Sequence, residues 1–357
     1  MEEKVEKLVA QAREAYRQLD LQKALELYEK ARELAPEDYR VHLGLARTLT
    51  RMRRPQEAIE AAQRCVELAP ERYEGYTALG VLYFLADENE KALEVLRKAY
   101  ELAPEAPEPL LTLAQVYADM GRFEEASVEL ARARDLIEEI GDEKERNALL
   151  AMVWHVEAYV RLAEGRNTEA RECAQQVIAL AEANPYAACL AYSNLGILEA
   201  RERRYAQAIE YLDKAFQMNP FFYRAGSALG RLLIVRGQPE RAVEVLEQVL
   251  KLNPDDTAST RYAYAVALAK AGERKQALAQ FRQALEEGLS GGDKLFARWQ
   301  VVWLSDWGRY TIIGLALVAV LVWILVGRPS PQTLTLVAVF AVVFFLQRLI
   351  GRKKRFP

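Results

Sequence analysis

Residues 73–106 read YEGYTALGVLYFLADENEKALEVLRKAYELAPEA, two helical stretches meeting across a short polar break at Asp87–Glu90. In the first stretch Tyr76, Leu79, Gly80 and Tyr83 recur at spacings of three and four. In the second, Ala92, Leu96 and Ala99 do the same. Such spacing places each set on one face of its helix. Gly80 and Ala92 are small enough to let the two backbones approach, and Leu79, Tyr83 and Leu96 fill the space beside them. Pro104 then ends the second helix, because proline lacks an N–H and restricts the residue before it. A unit of this size cannot bury both of its faces alone.

The unit recurs outward in both directions. The alanine that opens each second helix stands at Ala24, Ala58, Ala92, Ala126, Ala170, Ala208, Ala242 and Ala277, in steps of 34, 34, 34, 44, 38, 34 and 35. Twelve residues before each stands a small residue: Ala12, Ala46, Gly80, Ala114, Ala158, Gly196, Gly230 or Ala265. Pro36, Pro70 and Pro104 keep the same 34-residue period, as do Pro220 and Pro254. Two independent marker sets therefore give one register, with excesses of ten and four residues in the middle of the chain.

A 34-residue helix–turn–helix period with this pattern of small, aromatic and proline positions resembles the tetratricopeptide repeat. The resemblance covers about residues 5–291 in eight copies, near 5–38, 39–72, 73–106, 107–140, 151–188, 189–222, 223–256 and 258–291. Tyr76, Leu79, Gly80 and Tyr83 match the family's Trp-x-x-Leu-Gly-x-x-Tyr signature best, and its Trp position holds a tryptophan only at Trp154. Repeat eight lacks the final proline, and repeats four and five are irregular. The resemblance implies an all-α, right-handed α-solenoid whose first helices line a concave groove. Carried over position by position, that groove shows Arg13, Tyr16, Arg40, Leu43, Arg47, Thr77, Phe84, His155, Tyr159, Asn194, Arg224, Ser227 and Arg231. It implies protein partners, a peptide or helix bound in the groove. The arginines at both ends suit an acidic or C-terminal peptide, since a guanidinium grips a carboxylate with two parallel bonds. The alternative is that they pair with acids of neighbouring repeats. The family's two-carrier carboxylate clamp needs a Lys/Asn set that is not found here.

Local chemistry refines the register. Asp20 is placed to cap the second helix of repeat one. Gly121, Gly165, Gly237 and Gly272 each precede a second helix and suit a left-handed turn. The second helix of repeat four is expected to run through Ile140. Residues 141–150, GDEKERNALL, are the ten-residue excess, read as a longer helix pair or as a hinge or partner-contact loop. GLSGGDK, with Gly288, Gly291 and Gly292, reads as a flexible joint.

Past the joint the composition shifts. Residues 292–309 hold the joint and a Trp-rich helix: Trp299, Trp303 and Trp307 are four apart and, with Tyr310, read as membrane-interface residues. Tyr310–Val326 carries no charge, Gly327–Gln332 breaks the run, and Thr333–Leu346 is a second uncharged stretch reaching residue 350 with QRLI. Seventeen or eighteen residues of helix span roughly 26–27 Å, enough for a thin bilayer. Residues 310–350 are therefore expected to form a transmembrane helical hairpin that contacts lipid, and residues 351–357 a basic tail. Arg348, Arg352, Lys353, Lys354 and Arg355 on the tail, against Arg328 alone in the loop, put the tail and the array on the cytoplasmic side of a cell membrane.

The 357-residue chain carries a formal net charge of −3, unevenly spread. From Arg298 onward there are eight basic residues and one acid, leaving 40 basic and 50 acidic residues before them. An acidic array argues against nucleic acid as the main partner. Cys65, Cys173 and Cys189 show no metal or redox spacing, and Cys65 reads as a small core residue. The charged, amphipathic start MEEKVEKLVAQ lacks the apolar core of a signal peptide. His42, at the Trp-like packing position of repeat two, reads as a partly buried core residue. No phosphate loop, zinc spacing or nucleophile pattern accompanies either histidine, so no enzyme, cofactor or metal is expected. The expected function is a membrane-anchored scaffold that presents its groove to partners and assembles a complex. The alternative is an integral subunit or assembly factor of one membrane complex.

Overall fold

The computed structural model describes residues 2–252 and 257–305, with Gly314 and Trp323 beyond. The described residues form seventeen helices and no strand. Repeat one is α1 (Glu2–Arg17) and α2 (Leu21–Leu34), and repeat two is α3 (Tyr39–Arg51) and α4 (Pro55–Leu68). Repeat three is α5 (Tyr73–Leu85) and α6 (Asn89–Leu102), and repeat four is α7 (Pro107–Asp119) and α8 (Phe123–Glu138). Repeat five is α9 (Glu143–Ala163) and α10 (Asn167–Ala179), and repeat six is α11 (Pro185–Arg201) and α12 (Tyr205–Met218). Repeat seven is α13 (Tyr223–Val235) and α14 (Pro239–Lys251), and repeat eight is α15 (Thr257–Ala271) and α16 (Arg274–Glu286). A last helix, α17 (Gly291–Leu304), follows. Each helix packs on its chain neighbours, so the core is a continuous seam of short-range contacts.

The small positions explain the close approach within a repeat. A Cβ on Gly80 would lie 2.5 Å from Leu96, one on Gly196 2.5 Å from Leu212, and one on Gly230 2.4 Å from Leu246. Those three leucines are fully buried, as are Ala24, Ala58 and Ala92. The turns inside the repeats also agree. The Asp20 carboxylate accepts from the Lys23 N–H at 3.2 Å, and Gly121, Gly165, Gly237 and Gly272 have φ from +73° to +90°. The same left-handed position is filled in the other four repeats by Leu19, Arg53, Asp87 and Arg203, with φ of +59° to +62°.

Both length excesses become added helix. α9 has 21 residues and α11 has 17, against 13 for α3, α5, α7 and α13. Eight and four extra residues are about two turns and one, which leaves the packing face of each helix pointing nearly the same way. Residues 143–150 thus belong to α9 and form no separate loop. α8 ends at Glu138, two residues short of Ile140.

The expected flexible joint is instead a tight docking turn. Leu289 is buried, Gly288 and Gly291 take left-handed φ, and Ala297 of α17 packs into the cluster around Phe281. Arg274 ties α17 to α16 by donating to the carbonyl oxygens of Leu304 (2.9 Å) and Trp303 (3.1 Å). The outward face of α17 leaves Leu295, Phe296, Trp299 and Val302 exposed, and Trp299 stacks on Trp303 at 5.7 Å. Apart from Gly314 and Trp323, the expected hairpin 310–350 lies outside the described residues, as do Trp307, Tyr310 and the tail 351–357. Among the described residues no helix is long and apolar enough to cross a membrane.

Candidate partner-binding pocket

The first helices of repeats one and two carry arginine and tyrosine at one turn's spacing along their inner faces. Arg13, Tyr16 and Arg17 come from α1, and Arg40, Leu43 and Arg47 from α3. They converge on a cavity of about 310 Å³. Tyr28 of α2 forms its floor, held there because Gly44 has no side chain: a Cβ at that position would lie 2.1 Å from the Tyr28 ring. Tyr73, Glu74 and Glu108 close the far side. Helix register alone therefore places five of the lining residues and misses the wall supplied by a second helix and by the next two repeats. The absent side chain at Gly44, sixteen residues after Tyr28, was the available signal.

The charges inside are not equivalent. Arg40 is already used: it donates to Asp38 at 2.7 Å and lies 3.9 Å from Glu6. Burial would raise the Asp38 carboxyl, but the Arg40 hydrogen bonds and charge overcome it and hold the group below its usual range. Glu74 is balanced in the same way by Arg72, at 2.6 Å. Arg17 reaches only the exposed Glu14, at 3.8 Å. Arg13 and Arg47 make no ion pair among the described residues. The Tyr28 phenol is pushed up to about 12 by burial, against the opposing pull of Arg13 and Arg47. Burial and then Glu108 push Tyr73 up to about 12. The wall thus presents two guanidinium groups with no ion pair among the described residues, beside the neutral phenols of Tyr28 and Tyr73 and the carboxylates of Glu74 and Glu108.

The remaining groove residues separate into other places. Phe84 and Tyr159 meet edge to face at 6.2 Å. The Tyr159 hydroxyl donates to Asp119 at 3.0 Å, and burial with that carboxylate raises its phenol while Arg224 opposes. Ser227 bonds Thr260 at 3.3 Å, and Arg231 donates to Ser259 at 2.6 Å. Arg224 is exposed and Asn194 half-buried. Two residues are corrected. Thr77 is buried and its hydroxyl donates back to the Tyr73 carbonyl at 3.0 Å, so it offers nothing to a ligand. His155 is buried too, because α9 lies against α7 more fully than other neighbouring first helices lie on one another. Its Nδ1 has no hydrogen-bond partner, and burial pushes the imidazole down to about 4. His42 is a satisfied core residue, with Nε2 2.7 Å from the Pro36 carbonyl oxygen. Burial raises all three thiols, Cys65 and Cys173 to about 11 and Cys189 to about 12, as expected of inert core cysteines.

Fold and pocket together define a helical-repeat solenoid of the protein-interaction class. Tetratricopeptide repeat family models match residues 15–80, 83–152 and 199–259, and further ones match 155–221 and 258–283. The chain belongs to the tetratricopeptide repeat family. No curated relative matches it. Among solved structures it is similar to the APC/C hetero-tetramer Cut9–Hcn1, with a TM-score of 0.55 at 16% identity over 84% of this chain. The chain spans 55% of that structure's chain. It is similar also to a human IFIT1 dimer with PPP-AAAA, with a TM-score of 0.53 at 16% identity, covering 84% of this chain and 74% of that one. These likenesses concern the fold alone. Repeats of this family bind protein partners, and the fold is typically a non-enzymatic scaffold.

Proposed function

We propose that the protein is an interaction scaffold whose pocket at repeats one to four takes the carboxylate-bearing end of an acidic peptide. The supporting observation is that Arg13 and Arg47, which make no ion pair among the described residues, line one cavity with Tyr28. Two such cations fit the two oxygens of one carboxylate, and the half-exposed rim leaves room for the rest of the chain. Fluorescence anisotropy with a labelled acidic decapeptide tests this. Arg13→Gln with Arg47→Gln should weaken binding at least tenfold, and amidating the peptide's C-terminus should weaken it similarly. Equal binding by the double variant sinks the reading.

The scaffold is further proposed to be held at a membrane by residues 310–350, with the array and tail on the cytoplasmic side. The uncharged runs Tyr310–Val326 and Thr333–Leu346 support this, as does the exposed apolar face of α17 only a few residues upstream. Trp299 and Trp303 would then sit at the bilayer interface with Trp307 and Tyr310. Cell fractionation decides it: recovery of the full chain in the soluble fraction removes the anchor. Stoichiometric co-purification with one complex in mild detergent would favour an integral subunit or assembly factor over a free scaffold.

A further inference from the structure

Contacts in the array are mostly between nearby repeats, but among the described residues one set reaches much farther along the chain. The turns inside repeats one and two touch the starts of repeats six and seven. The Arg51 guanidinium lies between two rings, 3.7 Å from the centroid of Tyr16 and 3.9 Å from that of Tyr186. It also donates to the Tyr16 carbonyl oxygen at 3.1 Å. Arg53 donates to the Tyr223 hydroxyl at 3.2 Å, across 170 residues of chain. Leu19 packs on the cluster of repeats six and seven, and Phe221 on that of repeats one and two. One edge of the solenoid is made of turns inside repeats, the other of connections between them, and here the two edges meet. These side chains bring repeats one and two against repeats six and seven.

Two of the residues at this contact stand in left-handed turns. Four repeats use glycine at the left-handed turn, where an L side chain costs free energy. Leu19 and Arg53 occupy the same position with φ of +62° and +59°, and both are among the residues that reach across. Asp87 holds the same conformation in repeat three without reaching across, so the turn geometry alone does not mark the contact. Arg203, in the same conformation in repeat six, is exposed and serves as an internal control.

We propose that Leu19, Arg51 and Arg53 form a latch that holds the array as one closed turn, and that its release opens the inner face from the side. While latched, the inner face is reached only along the axis of the turn. Once released, it admits a segment whose two ends are both anchored in folded protein. Tyr16 belongs to the latch and to the pocket wall, so the two are adjacent.

Spin labels at Gln56→Cys and Glu182→Cys, both exposed positions flanking the contact, report closure in the full chain. The three native cysteines are buried and leave labelling to the introduced ones. The expected distance distribution is single and narrow. Leu19→Gly, Arg51→Ala and Arg53→Gly together should shift most of it to longer, broader distances, whereas Arg203→Gly should leave it unchanged. Arg53→Gly alone, which relieves its own turn, should shift part of the population even if the triple variant fails to fold. A broad distribution in the unsubstituted array, or a narrow one that persists in Arg53→Gly and in the folded triple variant, overturns the latch.

Discussion

The seam inside each repeat and the inner wall of the first three repeats are built from the same helices and obey opposite rules. At the seam, Gly80 against Leu96, Gly196 against Leu212 and Gly230 against Leu246 repeat one solution, with each leucine fully buried. On the wall, equivalent positions hold Tyr16 or Phe84 and Arg13, Arg47 or Tyr159, while Arg40 and Arg224 agree, and these residues are half-buried or exposed. The seam supplies stability and is interchangeable between repeats. The wall varies with its place and is where recognition is proposed.

The sharpest way to break this division is at the seam. Leu246→Ala should destabilise by about 3–5 kcal/mol, since the void opens beside Gly230, where no side chain can collapse into it. Hydrogen exchange should show the loss first in repeats seven and eight, because coupling runs between neighbours. A loss below about 1 kcal/mol would mean that the seam is not where the stability resides.

The next effect tests the residue that crosses the division. His155 holds a wall register but lies in the core, where burial lowers its pKa from 6.5 to about 4. The unfolded chain then binds the extra proton, so the stability tied to this group is complete above about pH 6.5 and is lost as pH falls towards 4. Each tenfold loss of proton affinity corresponds to about 1.4 kcal/mol, so the full swing is on the order of 3 kcal/mol. His155→Met should remove that part of the difference between urea unfolding at pH 7 and at pH 4.5. An unchanged difference would place the imidazole in water.

Smaller changes sharpen the comparison. Arg203→Gly replaces an exposed side chain at a left-handed turn and should raise stability by about 0.5–1 kcal/mol. Arg13→Gln with Arg47→Gln should alter stability least of all, within about 0.5 kcal/mol by thermal unfolding, while abolishing most acidic-peptide binding. A large stability loss there would show that the two cations serve the fold instead.

Much of this was legible in the residues. Ala92 opening a second helix, Gly80 facing it and Gly121 ending the turn each act within one repeat, and a local rule suffices to read them. The pocket was half legible. Arg13, Arg40 and Arg47 follow from helix position, but Tyr28, Glu74 and Glu108 enter from other elements, and nothing near Arg40 says that Asp38 has already claimed it. Thr77 and His155 were misplaced because a register position states a direction, not whether a neighbouring helix covers it.

The amino-acid order by itself determined the eightfold helix pairing, its period and its close-packed small positions, because each depends on forces acting within a few residues. Only the tertiary structure decided that Arg51 meets Tyr186 and that Arg53 meets Tyr223. That meeting is the sum of small rotations between successive repeats, and a small change in each, multiplied around the turn, would carry the two edges past one another.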